Sequence, residues 1–539
     1  MRRENLLALI LLTAVGFIAY RNCFDIFIPA DNYTQFYFFD KGFAAGFLES
    51  ARSAAPYLSG LPFLYLLYLL LGASPAGWVL TCLLLHITNS FIIFLIAKRL
   101  TNVFSPQLKF LSAFFSAVLF LLSPYQAETV LWGTVGARWL FHSLNVFAGI
   151  FLFLLYLEKP TAKKLYFLHL LFLIALFSNE TALVIPAIYI LLYFTYKFLT
   201  KTTASSNLFF TRIISIQAGF ILALFVFTKL YMGHWFWHGG TIEHITGSSG
   251  YIKTLIKYFA KFFLLYRYLP NESMNSFLRI LSKNNLYIIL LFCSGSALLF
   301  FILRHLLKAK KETGYLLSVS ILCFVVSLLP ALPLDSSFLS YDYPDRYGYI
   351  ASAFFYIFIS FGIFTLPGKF AVPIISLYAA AGWIFLYGTI SLWHSSNEYC
   401  HQLIKNYSPY LKYDHVYVLN EPAYFKGVVA LRSDLRAAVY YAHDHSPVDK
   451  IRIVSGCYQE SLNDSLISVK VNGQTVEVNG QKKSTPHFCT TGWAKTYSTD
   501  EYDVIFDLSG CSYVIKFKKE IPPNSAFIYA VKGNWKKTG

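Results

Sequence analysis

Long apolar runs dominate the first part of this chain, and each is bounded by a short polar or basic segment. A run of about 18 to 24 residues is long enough to cross a hydrocarbon core of roughly 30 Å as a helix. The pattern therefore predicts an all-α polytopic membrane bundle over residues 1–393, with about eleven transmembrane helices. The predicted spans are residues 5–20, 75–97, 109–123, 139–157, 164–178, 181–199, 212–232, 285–306, 314–333, 348–366 and 370–393.

Two longer polar segments, residues 21–74 and 233–283, are predicted to connect these helices on the outer face of the membrane. The first contains the apolar stretch 57–72, which is short and interrupted by Pro62, so it predicts an interfacial or re-entrant helix. In the second, residues 251–269 have apolar side chains at helical spacing interleaved with Lys and Arg. That pattern is typical of a helix that lies in the plane of the interface.

Lysine and arginine gather in the short segments between the apolar runs, and this bias predicts the orientation. By the positive-inside rule, the N-terminus and the basic segments 98–109, 158–164, 197–212 and 304–311 are cytoplasmic. The first run resembles a secretory signal but lacks a small-residue cleavage site, so we interpret it as a retained span. An odd number of crossings then places the C-terminal part outside. That side is the periplasm for a bacterial inner membrane, or the lumen for an ER membrane.

From about residue 394 the apolar runs are replaced by alternation of apolar and polar residues with period two. Residues 431–445 have a helical pattern, and the Asn-Gly pairs at 472–473 and 479–480 are typical of hairpin turns. The pattern predicts a small β-rich extracytoplasmic domain over residues 394–539, with an acceptor-binding or stabilising role. In an oxidising compartment its cysteines favour at least one disulfide. They are Cys400, Cys457, Cys489 and Cys511, of which the last three are the expected participants.

Composition excludes two other classes of protein. The chain has 539 residues, 56% of them hydrophobic, and a mean hydropathy of +0.51, which a soluble domain of this length does not reach. The net charge of +17 invites a nucleic-acid partner, but the basic residues lie largely between apolar runs, so none is expected. The sequence has no P-loop and no G-x-S-x-G or H-E-x-x-H motif, which argues against nucleotide-driven transport.

Six ionisable residues abut the apolar runs, and the predicted topology places all of them on the outer side. Ionisable groups at a membrane boundary are costly unless they pair or perform a function, so their convergence predicts a polar site. Simpler roles stay open, because Asp31, Glu180 and Asp345 are each placed to cap a helix. Glu128 is placed to form an ion pair with Arg138. The six residues are Asp31, Glu128, Arg138, Glu180, Asp345 and Arg346.

Five segments, in order, resemble motifs of one family of membrane glycosyltransferases. SPYQAETVLWGTVGAR resembles HPVHTEAVAWISGR, LFSNETALVIP resembles LSKEMAVTLP, and YPDRYGYIASAFF resembles ADRYLYLPSIGF. LGASPAGWVLTCLLLHITNS and SLWHSSNEYCHQLIKNYSP resemble an early His- and Asn-containing span and the stretch after the last span. The family comprises the transmembrane and tetratricopeptide-repeat O-mannosyltransferases and bacterial protein O-mannosyltransferase-like enzymes, in the GT-C superfamily. The matched residues are His86, Asn89, Glu128, Arg138, Glu180, Asp345, Arg346 and Tyr347.

The resemblance implies a GT-C-like fold and an inverting transfer of a sugar from a polyprenyl-phosphate carrier to a protein, lipid or glycan acceptor. On this hypothesis Asp31 is the general base for the acceptor hydroxyl. Arg138 and Arg346 bind the carrier phosphate and stabilise its charge as it leaves. Glu128 and Glu180 complete the expected catalytic set by orienting the arginines or the sugar. The expected supporting residues are Asp345, Tyr347, Asn179 and His86.

Departures from the family pattern leave the donor sugar and the acceptor open. The family's Asp-Asp pair is here Asp31-Asn32, and residues 56–59 hold no arginine where the family has Tyr-Arg-Pro-Leu. Ser123 replaces the first histidine of the family's HPVH motif, and Asn179 replaces a lysine. The tetratricopeptide array is absent, and the β-rich domain stands in its place.

Two other functions stay open on the sequence alone. A non-enzymatic translocase of lipid-linked sugars needs polar residues at mid-membrane depth, and the predicted spans hold few. A polymerase or ligase of lipid-linked glycans would use the same arginine-on-phosphate chemistry with a different carrier or acceptor. A divalent metal is compatible with sugar transfer, but His234, His238 and His244 near Glu243 match no tight ligand motif. No metal ligands are therefore predicted.

Overall fold

A helical bundle precedes three small β-sheets along the chain. The computed structural model describes residues 3–44, 46–48, 57–101, 106–200, 209–233, 248–265, 311–332, 345–432, 434–445, 448–459, 467–480, 487–488, 496–507 and 511–538. The helices are α1 (Arg3–Ala19), α2 (Asn32–Asp40), α3 (Gly60–Leu71), α4 (Pro75–Leu100), α5 (Pro106–Leu121), α6 (Ala127–Leu131), α7 (Gly133–Glu158), α8 (Ala162–Leu176), α9 (Ile185–Thr200), α10 (Ser215–Met232), α11 (Ser248–Leu264), α12 (Lys311–Leu328), α13 (Tyr349–Ile363), α14 (Gly368–Lys405) and α15 (Leu435–Ala442).

Seven segments of the described residues are long and apolar enough to cross a membrane, as in a multi-pass membrane protein. An eighth crossing results if α5 and the segment Pro124–Leu131, which are bent by 50°, form one span. Helices α1 and α8, of 17 and 15 residues, coincide with two predicted spans but are shorter than each of these seven segments. The predicted span 285–306 lies outside the described residues, so the count of eleven remains a prediction. The seven segments are Pro75–Leu100, Gly133–Glu158, Glu180–Phe198, Phe210–Tyr231, Thr313–Ala331, Asp345–Ile363 and Gly368–Tyr410.

Short helices occupy the described parts of both predicted outer loops. The 12 residues of α3 extend over roughly 18 Å, which is too little to cross the hydrocarbon core and agrees with the predicted interfacial helix. In the second loop, α11 exposes the apolar side chains of Ile256, Phe259 and Phe263. The rest of that loop, which includes His234, His238, Glu243 and His244, lies outside the described residues.

Ion pairs join three helix ends on one side of the bundle, which we call the basic end. Lys98 Nζ, at the end of α4, lies 2.6 Å from Glu4 of α1, and Arg99 pairs with Glu158, the last residue of α7. The three segments predicted to share the cytoplasmic face therefore meet in space. Arg138, near the start of α7, precedes Glu158 by about 20 residues, or roughly 30 Å of helix, which is the thickness of a hydrocarbon core.

A single helix, α14, connects the bundle to the C-terminal part. Its first half exposes large apolar side chains as far as Tyr387, whereas beyond that residue none is exposed. Its last turns bury Tyr399, Cys400 and Leu403 against the strands that follow. The predicted boundary at residue 394 therefore falls within a continuous helix. The surroundings of the helix change near this position, but the helix itself does not end there.

The C-terminal strands form three sheets. Their orders are β13-β12-β1-β4, with β1 parallel to both neighbours, then β6-β7-β11-β10-β9, which is antiparallel, and β3-β2-β5-β8. The strands are β1 (His415–Val418), β2 (Glu421–Phe425), β3 (Val428–Val429), β4 (Ile451–Ile453), β5 (Gly456–Gln459), β6 (Ile467–Asn472), β7 (Thr475–Gly480), β8 (His487–Phe488), β9 (Thr496–Ser498), β10 (Tyr502–Phe506), β11 (Ser512–Phe517), β12 (Ser525–Val531) and β13 (Asn534–Lys537). The predicted helical stretch 431–445 contains α15.

One of the two predicted Asn-Gly turns is present. Asn472 pairs with Thr475 across a tight turn in which Gly473 has a φ of 59°, a conformation that glycine adopts without steric cost. The turn predicted at 479–480 is wrong, because both residues belong to β7. Asn479 pairs with β6 on one side and with β11 on the other, so the ladder continues through it.

The described cysteines form no disulfide with one another. Cys457 lies on β5, and Cys511 lies beside β11 in a different sheet, so these two of the three expected participants do not pair with each other. Burial raises the pKa of the Cys457 thiol to about 12, which disfavours the thiolate that disulfide exchange requires. Cys489 lies outside the described residues.

Candidate active site

A polar cavity of about 320 Å³ lies at the start of α7, at the opposite end of the bundle from the basic end. We call this the cavity end. Segments far apart in sequence form its walls. The charged lining residues are Asp31, Arg138, Glu180, Arg346 and Arg432, and the aromatic ones are Phe38, Tyr57, Trp132, Trp139 and Tyr347. The structure thus brings together four of the six ionisable residues singled out in the sequence.

Asp31 precedes α2 but does not cap it. Its backbone has a φ of 59°, its side chain makes no capping hydrogen bond, and 51% of that side chain is exposed. The cap comes instead from Asp434, whose carboxylate accepts hydrogen bonds from the N–H groups of Tyr33 at 2.9 Å and Thr34 at 2.8 Å. The simpler role for Asp31 is therefore wrong, since another carboxylate already satisfies the first amides of the helix. The Asp31 carboxylate faces the cavity.

Asn32, in place of the family's second aspartate, is a structural residue. Its fully buried side chain accepts hydrogen bonds from the N–H and hydroxyl of Thr134, at 2.7 and 2.8 Å, and donates one to the carbonyl of Ile28. Gly133 makes this approach possible, because a Cβ there would lie 2.7 Å from the Asn32 side-chain oxygen. These contacts fix the loop that carries Asp31 to the start of α7.

Arg346 lies on the 3-10 turn Asp345–Gly348 and is held by Glu128. One Glu128 oxygen accepts the Arg346 backbone N–H at 2.9 Å, and the other accepts from the guanidinium. The guanidinium also lies 4.8 Å from the ring centroids of Trp132 and Tyr347. The expected pair of Glu128 with Arg138 is therefore wrong, because Arg346 takes this carboxylate. Glu128 lies behind Arg346 and does not line the cavity.

Arg138 lines the cavity, and its positive charge has few contacts with other side chains. Its guanidinium lies 3.9 Å from the centroid of the Tyr57 ring, and its buried Nε has no hydrogen-bond partner among the described residues. Gly60 leaves room for the side chain, since a Cβ there would lie 3.0 Å from Arg138 Cγ. Burial raises the pKa of Tyr57, against an opposing effect of Arg138, so the ring carries no charge of its own. A guanidinium in this setting is ready to accept an anion.

Glu180 also faces the cavity, at the start of the 3-10 turn Glu180–Val184. Its Oε2 is buried and has no hydrogen-bond partner among the residues that the structure describes. Asn179, rather than Glu180, caps this turn by accepting from the N–H and hydroxyl of Thr181 at 3.0 and 2.9 Å. The Thr181 hydroxyl in turn contacts His142 at 2.7 Å. Glu180 is thus left to contact what enters the cavity.

Two expected supporting residues do not line the cavity. Asp345 is buried, with Oδ1 3.1 Å from Lys261 Nζ of α11, so it ties that helix to the Arg346 turn instead of capping α13. His86 is buried within the bundle, 2.7 Å from the hydroxyl of Tyr349 and 3.3 Å from the carbonyl of Leu121. Burial among apolar helices explains both pairings, because an unpaired polar group there is costly.

Arg432 is the charged lining residue that the sequence analysis missed. It comes from the C-terminal part and lies 3.9 Å from Asp31. The only signal in the sequence is a short charged stretch, LRSDLR, which leads into α15, and such stretches are common on solvated surfaces. Among the described residues, no group of three His, Cys, Asp or Glu side chains is arranged to hold a metal ion.

Comparison with known proteins adds no identification: the chain matches no protein-family model and no curated protein sequence. The resemblance to the O-mannosyltransferases therefore depends on the five quoted segments.

Proposed function

We propose that this protein is a GT-C-type inverting glycosyltransferase that moves a sugar from a polyprenyl-phosphate carrier to an acceptor hydroxyl. The observation that carries the proposal is the shared cavity of Asp31, Arg138 and Arg346 at one end of the apolar helices. Transfer from a phosphate needs a cation on the leaving group and a base on the incoming hydroxyl. A cavity of about 320 Å³ is near the lower limit of ligand pockets, ~300–1,000 Å³, and suits a sugar phosphate rather than a lipid tail.

The proposed reaction is a single displacement at the anomeric carbon. The acceptor oxygen forms a bond to the anomeric carbon while the bond between that carbon and the phosphate oxygen breaks. The electron pair of the broken bond remains on the phosphate, and the hydroxyl proton moves to Asp31. Arg346, held rigid by Glu128, and Arg138 stabilise the charge that develops on the phosphate. Glu180, with an unpartnered oxygen at the cavity, orients the sugar through its hydroxyl groups.

The charge of the cavity favours a monophosphate carrier over a diphosphate. Three arginines and two carboxylates line it, which leaves one formal positive charge. A sugar phosphodiester carries one negative charge and matches that balance, whereas a diphosphate carries two. This supports the transferase over a ligase that uses diphosphate-linked glycans. A membrane translocase is less favoured because the unpartnered polar atoms of Arg138 and Glu180 face a cavity at a helix end.

We place the cavity and the C-terminal domain on the outer face, and the basic end in the cytoplasm. The meeting of Lys98, Arg99 and the start of α1 at one end supports this orientation, because arginine and lysine accumulate on the cytoplasmic side. Single cysteines introduced at exposed Lys163 and Lys519 test it. A membrane-impermeant thiol reagent should label the Lys519→Cys variant in intact cells and the Lys163→Cys variant only after lysis. The reverse pattern would contradict the orientation and the outer site.

Transfer itself is tested with the purified protein in lipid vesicles and a panel of labelled polyprenyl-phosphate sugars, with peptide, lipid and glycan acceptors. We expect one donor to release free polyprenyl phosphate in step with acceptor labelling. Asp31→Asn should lower turnover by at least ~100-fold while donor binding is retained, because it keeps the shape and removes the base. The control is Asp25→Asn, which changes an exposed aspartate in the same loop that does not line the cavity.

Three outcomes would contradict this proposal. Near-normal transfer by Asp31→Asn would remove Asp31 from the mechanism. An equal loss in Asp25→Asn would indicate damage to the loop rather than to the chemistry. Movement of intact donor across the bilayer without bond cleavage would indicate a translocase.

A further inference from the structure

The C-terminal part contacts the segment that carries the proposed base. The N–H of Ala30 donates to the carbonyl of Ala430 at 3.2 Å, on the N-terminal side of Asp31. On the other side, the N–H groups of Tyr33 and Thr34 donate to Asp434, which is buried. Contacts from one short segment before α15 therefore lie on both sides of Asp31 in sequence. They fix the backbone on both sides of Asp31, which has a left-handed conformation and makes no side-chain hydrogen bond to the helix it precedes.

Arg432 lies in the middle of this segment, and its position is tightly determined. Its backbone has a φ of 44°, a conformation that residues other than glycine keep when the surrounding structure enforces it. Its guanidinium lies 5.4 Å from the Trp132 ring of the bundle and 5.9 Å from the Tyr424 ring of β2. Its Nη1 lies 3.9 Å from Asp31 Oδ2, at the wall of the cavity.

We propose that Arg432 is a positioning residue that aims the Asp31 carboxylate at the acceptor, so that the C-terminal domain completes the active site. The inference rests on the transferase function above, in which Asp31 is the base. A half-exposed carboxylate that caps nothing rotates freely unless a cation holds one of its oxygens. The attraction of the Arg432 guanidinium to Oδ2, 3.9 Å away, favours one orientation of the carboxylate and leaves the other oxygen to take the proton. Holding a base in the correct geometry is a substantial part of its effect.

The arrangement also explains why this cation comes from the C-terminal domain. Arg346, on the turn before α13, lies 4.8 Å from the Trp132 ring centroid, and Arg432, before α15, lies 5.4 Å from the same centroid. The two arginines thus lie near one indole and have separate tasks. Arg346 binds the phosphate, and Arg432 holds the base. The domain therefore does more than the accessory role expected from the sequence.

A double-mutant cycle between Arg432 and Asp31 tests the proposal in the vesicle transfer assay. Arg432→Gln should lower kcat by roughly tenfold and leave the donor KM within about twofold, because the base is misaligned and the phosphate site is intact. Arg432→Lys keeps a cation near the carboxylate and should recover about a third or more of the wild-type kcat. In the Asp31→Asn background, Arg432→Gln should have no further effect, since a residue that acts through Asp31 has nothing left to position.

Each other outcome has a distinct meaning. A further tenfold loss on adding Arg432→Gln to Asp31→Asn would overturn the inference, as would a donor KM raised more than about fivefold, which indicates direct contact with the phosphate. Arg436→Gln, at an arginine four residues along that does not line the cavity, is the control and should retain wild-type kcat. Thermal unfolding of each variant verifies the fold. Absence of transfer by the wild-type protein would overturn the function and this inference together, whereas transfer with an additive cycle would overturn the inference alone.

Discussion

The two ends of the bundle hold their charges in different ways. At the basic end, the side chains of the Lys98–Glu4 and Arg99–Glu158 pairs are 14–62% exposed. At the cavity end, Arg346 and Glu128 are only 10% and 5% exposed, and the nearby Lys261–Asp345 pair is buried more deeply still. One end is a solvated surface with ordinary ion pairs. The other buries two ion pairs, although Asp31 in the cavity is half exposed.

On the proposed function and topology, this difference separates charges that orient the protein from charges that act. Exposed ion pairs contribute ~0–1 kcal/mol, so the basic end needs no function beyond the topology. Buried charges carry a desolvation penalty that a single partner does not always offset. At the cavity end, Arg138 Nε and Glu180 Oε2 have no hydrogen-bond partner among the described residues, and these are the two side chains to which the proposed function assigns contacts with the donor.

The largest expected difference between the two ends is in how much the loss of an ion pair destabilises the protein. Glu128→Ala leaves the buried Arg346 guanidinium without its carboxylate and should destabilise the protein by about 3–5 kcal/mol, with loss of transfer. Glu158→Ala removes the partner of Arg99 at the basic end and should cost less than about 1 kcal/mol. Thermal unfolding of both variants in the same detergent measures the difference. Equal shifts would mean that both ends are solvated alike.

A smaller effect is expected on donor binding when Arg138 is changed. Arg138→Gln removes a cation that lies on Tyr57 and should raise the donor KM by roughly ten- to hundredfold, because a charge-assisted contact to phosphate is lost. Stability should change little, since no buried carboxylate is left unpaired. Arg99→Gln at the basic end is the control and should leave the KM unchanged. An unchanged KM in Arg138→Gln would remove this residue from the carrier site.

The sequence was informative where the signal is local. The apolar run predicted at 139–157 is α7, and the short stretch 57–72 contains the short helix α3. Arg138 and Arg346 were identified because each directly abuts such a run. The pairing of Arg346 with Glu128 was not predicted, because the two residues are 218 positions apart in sequence. Neither periodicity nor spacing carries information on that contact.

The same reason explains the errors at the C-terminal part. Asp434 caps α2 from 401 residues away, so the local pattern wrongly assigned that role to Asp31. Arg432 lies in a stretch whose sequence is typical of a solvated turn, and only the packing of the C-terminal part against the bundle brings it to the cavity. The boundary at residue 394 reflects a real change in surroundings, but the helix continues because nothing in its own sequence stops it.

The smallest predicted effect is the loss of stability when an ion pair at the basic end is removed. Its dependence on salt can be compared with that of the stability loss at the cavity end. Glu4→Gln should change stability by less than about 1 kcal/mol, and roughly 1 M salt should remove even that, because the Debye length then falls to ~3 Å. The same salt should leave the effect of Glu128→Ala almost intact, since ions do not enter the space between two side chains that are 5% and 10% exposed. Unfolding of the wild-type protein and both variants at low and high salt gives the comparison. If salt reduced both effects equally, the charges at the cavity end would be as solvated as those at the basic end, and the distinction between orienting and acting charges would be lost.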